Sequence, residues 1–214
     1  MRKTSYVVTF FAVLASFILN IVSLQEPQWL VVKYPKSFGT TITEYYGLLE
    51  MCTNKVVSIP DPDKGKPIEY TNYVCRAFPK RQTDRCEQNS GFCTSWSTAG
   101  FASELAIGCG ALTLLTLIVG VSTHSRRRRI WRVVAGLIIL HSAFQIITFA
   151  IVTNSFNRNR YPTFDRAKLG VSYALTVVSW ALGVINAVAV MVTGHFAERG
   201  HRWAAGNRAY RTIQ

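Results

Sequence analysis

Four long runs almost free of charge decide what this chain can fold into. Residues 6–24 carry no formal charge over 19 positions, 99–121 one over 23, 133–152 none over 20 and 169–192 none over 24. At about 1.5 Å per helical residue, each run is long enough to cross a hydrocarbon core of roughly 30 Å. A helix packed in water would need a polar stripe at helical period, and no run has one. The pattern predicts four transmembrane helices (6–24, 99–121, 133–152 and 169–192) in a single integral membrane domain over 1–214. Arg2 and Lys3 before the first run resemble the start of a signal peptide. However, "NIVSLQEP" offers no small-residue cleavage site, so an uncleaved span is expected.

The net charge of +13 is then read by its placement, which gives nucleic-acid binding no support. The two chain ends and the turn at 122–132 hold eleven basic residues and one acid, Glu198. The two other connections, 25–98 and 153–168, hold thirteen basic residues and nine acids. By the positive-inside tendency both termini, including the tail 193–214, are expected in the cytoplasm, and 25–98 and 153–168 outside.

Cysteine placement agrees. Cys52, Cys75, Cys86 and Cys93 all lie in the long loop that the charges put in an oxidising space, and Cys109 lies in the second run as a small apolar packing residue. Four cysteines allow three disulfide connectivities, and their order does not choose among them. Their steps of 23, 11 and 7, with no His in the loop, do not suit a zinc site. "WLVVKY" (29–34), "TTITEYYGLLEMC" (40–52) and "YVCRAF" (73–78) are rich in β-branched and aromatic residues and predict strands. "PDPDKGKP" (60–67) reads as an extended turn between them. The fold expected is a mainly α four-transmembrane-helix bundle with a small disulfide-tied antiparallel sheet in the first extracellular loop. A sheet this small needs the covalent tie, because its own core is thin.

The order Trp29, Gly47-Leu48-Leu49, Cys52, Cys75, set in four spans with a long first outer loop, resembles the claudin and peripheral myelin protein superfamily, whose signature is W…GLW…C…C. The overall pattern, including "FCTSWSTAGFASELAI", is more similar to fungal claudin-like four-span proteins. The resemblance implies that Gly47–Cys52 is a strand whose cysteine bonds Cys75, with Trp29 packed near the membrane surface. Leu49 stands where the signature has Trp, the Cys52–Cys75 interval is longer, and Cys86 and Cys93 suggest a second bond.

Polar residues inside the runs are few. Glu104 calls for water or a partner, since an acid in hydrocarbon is expensive. Its expected place is the outer edge, reaching water or a nearby Arg. His141 and Gln145, four apart, share a helix face and are expected as interhelical hydrogen-bond partners, as are Asn20 and Asn186. Gly100, Glu104 and Gly108, and Ser179, Gly183 and Ala187, form rows with small residues suited to close helix packing or to self-association. Arg126–Arg129 could hold anionic lipid. No hydrolase, metalloprotease, phosphate-loop or C-x-x-C motif occurs, so neither an enzyme nor a catalytic, metal or cofactor site is expected. The function expected is the organisation of membrane or cell-surface contacts through the extracellular β loop, with lateral protein partners or self-association and a plasma-membrane location. An ion path, or an accessory subunit of a channel or transporter, is the alternative.

Overall fold

The computed structural model describes residues 3–37, 40–59, 68–122, 124–201 and 204. The expected turn at 60–67 lies outside the described residues, as do Arg202, Trp203 and 205–214. The side chains of Arg126–Arg129, the candidates for anionic lipid, also lie outside them.

Four long helices form: α1 (Lys3–Gln25), α2 (Ser90–Ser122), α3 (His124–Asn157) and α4 (Val171–Glu198). Three of them contain one of the apolar runs whole, whereas the fourth run starts two residues too early, since Leu169 is the last residue of a strand and α4 begins at Val171. Each helix includes a stretch long and apolar enough to span a membrane. The helices outrun the apolar stretches, most of all α2, which begins nine residues earlier, and α3, which takes up most of the turn expected at 122–132. Apolarity marks the part of a helix that suits lipid, whereas helical hydrogen bonding continues past it.

The chain divides into two compact units. The first, within 1–21, 103–146 and 177–214, is helical. Its core holds Tyr6, Val13, Leu117, Val134, Ala135, Ile138, Ala187 and Val190. On α3, Val134, Ile138, His141 and Gln145 recur at steps of four, three and four, so one face is buried throughout. Val8, Phe11, Leu112, Leu115, Ile139 and Ile185 are exposed, while Ser16, Asn20, Thr113, His141 and Gln145 are buried. Polar groups inward and apolar groups outward is the arrangement that suits lipid rather than water.

The second unit, within 22–102 and 147–176, carries a five-stranded antiparallel sheet. Its strands are β1 (Leu30–Lys33), β2 (Thr40–Tyr46), β3 (Glu50–Ile59), β4 (Ile68–Ala77) and β5 (Ala167–Leu169), in the order β4-β3-β2-β1-β5. β-Branched and aromatic residues in "TTITEYY" and "VVSI" favour this pleated, half-buried setting. The stretch expected as one strand through Gly47–Cys52 is instead a hairpin. Gly47–Leu49 turns the chain, and β3 starts at Glu50 and runs on to Ile59. The fifth strand comes from the second connection and pairs with β1, Leu30 opposite Leu169. At that junction Gly170 donates its N–H to Trp29 O (2.9 Å). A Cβ there would collide with Gln28 O, so the close approach requires glycine.

Candidate functional site

The motif residues gather in the sheet unit. Trp29 is fully buried, donates Nε1–H to Ser23 O (2.7 Å) and stands edge-on to Tyr173. Gly47 closes the β2–β3 turn through its N–H to Glu50 O (2.8 Å). A Cβ at Gly47 would lie 2.8 Å from both Glu50 O and Pro27 Cα, which no real side chain tolerates. The Gly47 carbonyl accepts Trp96 Nε1–H (3.0 Å). Leu48 points into the core, while Leu49 is 44% exposed and its carbonyl accepts Phe78 N–H (2.9 Å). Cys52 and Cys75 face each other across β3 and β4 and are bonded, their Cα atoms 4.0 Å apart. Cys86 and Cys93 form the second bond, which ties the chain just ahead of α2 to its first turn. Among the described residues Cys109 is the free cysteine.

Six rings that no local pattern announced fill the space beneath the turn. Tyr46, Phe78, Phe92, Trp96, Tyr161 and Phe164 stack edge-on or tilted, with centroids 5.1–6.1 Å apart. Pairs of this kind add stabilisation beyond area burial. Beside them Arg76 grips Asp84 with two hydrogen bonds, 2.8 and 2.6 Å. Lys80 N–H (2.6 Å) and Tyr161 O–H (2.9 Å) also donate to the Asp84 carboxylate. Burial pushes the Asp84 carboxyl up, but Arg76, Lys80 N–H and Tyr161 together hold it below its ordinary range. Glu44 accepts from Tyr34 (3.0 Å) and Tyr46 (2.7 Å). Burial and then Glu44 push the Tyr34 phenol up to about 12.

Two hollows flank Pro162 and Thr163. One of about 420 Å³ is lined by Thr83, Asp84, Arg85, Gln88, Asn89 and Tyr161; another of about 150 Å³ is lined by Val32, Tyr34, Asp165 and Arg166. The Asp84 carboxylate, with four donors already, has little capacity left for a ligand. Glu50 lies near the Cys52 and Cys75 sulfurs, but these sulfurs are bonded to each other, so the group lacks the thiolates a metal needs.

The intramembrane residues separate into two kinds. In the helical unit His141 Nδ1–H donates to Ala106 O (2.7 Å), which leaves Nε2 as an acceptor facing Gln145 Nε2 (2.9 Å) and Ser16 Oγ (3.0 Å), the Ser16 hydroxyl also reaching Ser179 O (3.0 Å). Ser179 donates to Ser16 O (2.8 Å). Gly110 lies against His141, and Gly183 against Ser142, so small residues admit the network. Ser16 and His141 make the contact that a serine nucleophile needs, but Ser16 is buried and bonded to Ser179, and Nε2 is shared. Their role is to join α1, α3 and α4, with Gln145 Oε1 left over without a hydrogen bond. Asn20 joins Ser103. Glu104 is different: it is exposed and has no hydrogen bond or ion pair among the described residues, so of the two partners expected for it, water or a nearby Arg, the described residues supply no Arg. At the other end of the unit Arg132 and Trp131 both reach Glu198.

Fold and site together define a four-helix, membrane-type bundle that carries a disulfide-tied antiparallel sheet. No protein-family model matches the chain, and no curated protein does either.

Proposed function

We propose that this is a claudin-like, non-enzymatic membrane protein, with both termini cytoplasmic, that organises contacts at the plasma membrane through its sheet. The observation that carries the reading is the β4 edge. β4 ends the sheet, is ten residues long, and exposes Tyr70 (61%), Tyr73 (54%) and Val74 (58%). Long edges are normally shortened, charged or covered, because their free N–H and C=O groups recruit another strand. This one is instead held rigid by the bond to β3, which suits a pre-formed contact surface. The hydrogen-bonded network around His141 lends an ion path no support, since its polar groups bind one another.

The edge can be disabled without touching the ladder. The 4.0 Å spacing of Cys52 and Cys75 marks a pair that does not exchange hydrogen bonds, so Tyr73 and Thr71, two and four residues before Cys75, turn their N–H groups away from β3. Thr71→Pro then removes an outward donor, whereas Asn72→Pro removes a ladder donor. With a photo-cross-linker at Tyr70 in native membranes, the parent chain gives discrete adducts and the Thr71→Pro chain loses most of them while remaining folded. Monomer alone from the parent chain would sink the proposal.

A further inference from the structure

Within the four apolar runs most polar side chains are turned inward, and the one charged residue is not. Ser16, Asn20, Ser103, Thr113, His141, Gln145, Thr176, Ser179 and Asn186 are all buried, but Glu104 is exposed and unpaired. It shares a helix face with Leu105, Gly108, Leu112 and Leu115. The three leucines are exposed, and a Cβ on Gly108 would meet nothing within 4 Å. Glu104 is the sixth residue of the run 99–121, about 7.5 Å along the helix from its start. A carboxylate at that depth and facing lipid is costly unless a donor comes to it.

We propose that this face of α2 docks a transmembrane helix of a second protein, one that presents a lysine or arginine level with Glu104. Charge complementarity selects the occupant. The four runs contain no Lys or Arg, and Glu104 is their one charged residue, so the runs of a second copy would bring to Glu104 no basic side chain, and the same face of that copy would bring a like charge. A basic residue on the partner neutralises the acid by a charge-assisted hydrogen bond, and Gly108, one turn away, lets the two backbones close up. This docking is lateral, within the membrane, and does not depend on the β4 edge.

The full chain, donor-labelled in phosphatidylcholine vesicles, is mixed with acceptor-labelled single-span polyleucine helices. One probe carries a single lysine about 8 Å inside its apolar stretch, and the control carries leucine there. Energy transfer should show about tenfold stronger association of the lysine probe, in line with measured interhelical polar contacts. Glu104→Ala should erase that preference, and Glu104→Lys should transfer it to a glutamate-bearing probe. Thr71→Pro should leave it intact, so failure of the edge reading and failure of this one are told apart. Equal association of lysine and leucine probes, or a preference that survives Glu104→Ala, overturns the proposal. Glu104-dependent association of labelled copies with no response to the lysine probe also overturns it, in favour of a self-contact. The outward position of Glu104 makes its loss harmless to the fold, and unchanged tryptophan emission in the variants checks this.

Discussion

The two units solve burial in opposite ways. The helical unit exposes Val8, Phe11, Leu112 and Ile185 and encloses Ser16, Asn20, His141 and Gln145. In the other unit the sheet and its loops bury Trp29, Tyr46, Phe92, Trp96 and Phe164 and expose Lys33, Lys55, Lys80 and Arg81. The first holds together by interhelical hydrogen bonds and close packing, since lipid gives apolar side chains no reason to hide. The second relies on ring burial plus covalent ties, as expected of a small layer with a thin core of its own. Where each unit breaks its own rule, a contact is expected: Glu104 on the apolar surface of one, and Tyr70, Tyr73 and Val74 at an edge of the other that no described strand covers.

The strongest way to separate the units is to cut the tie that only one of them has. Cys52→Ser frees a loop of 23 residues and should destabilise the sheet by about 3 kcal/mol. Limited proteolysis in β3–β4 should then accelerate, while the helical circular dichroism signal stays. Loss of the whole helical signal would mean that the units do not have separate sources of stability.

Next in size is the ion pair beneath the sheet. Asp84→Asn leaves Arg76 without its countercharge and should cost about 2 kcal/mol, a value tempered by the partial exposure of Arg76. The same pair fixes a pH dependence. The Asp84 carboxyl titrates lower in the folded protein than its ordinary 3.8, so its contribution is complete above that value and is lost as pH falls through the folded pKa. Acid titration of protease resistance should show a transition below pH 4 that Asp84→Asn removes.

The smallest effect is expected inside the helical unit. His141→Leu deletes the bonds to Ser16, Gln145 and Ala106, yet should lower thermal stability in detergent by only about 1 kcal/mol, because the unfolded chain in a membrane finds other partners. A loss as large as that of Cys52→Ser would contradict the comparison.

Charge counting was enough to find the four helices, because a run of some twenty residues without charge leaves few alternatives. It undershot α2, whose first turns, "SGFCTSWST", are polar but still helical. The residues around Gly47 carried a hairpin signal, a glycine within a short gap between two strand-like runs. The β-branched and aromatic neighbours of Gly47 made the stretch read as one strand instead. β5 is three residues long and pairs with β1 across more than 130 positions, so neither alternation nor proximity could reveal it. The ring cluster has the same cause, since Tyr46, Phe92 and Tyr161 become neighbours only once the sheet exists. Glu104 was visible as an anomaly in the sequence, but its outward direction depends on which α2 face packs, and composition does not fix that.

The opposed burial patterns can be tested directly by spin labels on a Cys109→Ala background, reconstituted in lipid. Labels at Leu112 and Ile185 should relax with membrane-dissolved oxygen, and labels at Tyr70 and Val74 with a water-soluble nickel chelate. Preferential relaxation of Leu112 and Ile185 by the chelate would show that the exposed apolar faces meet water, and the account would fall.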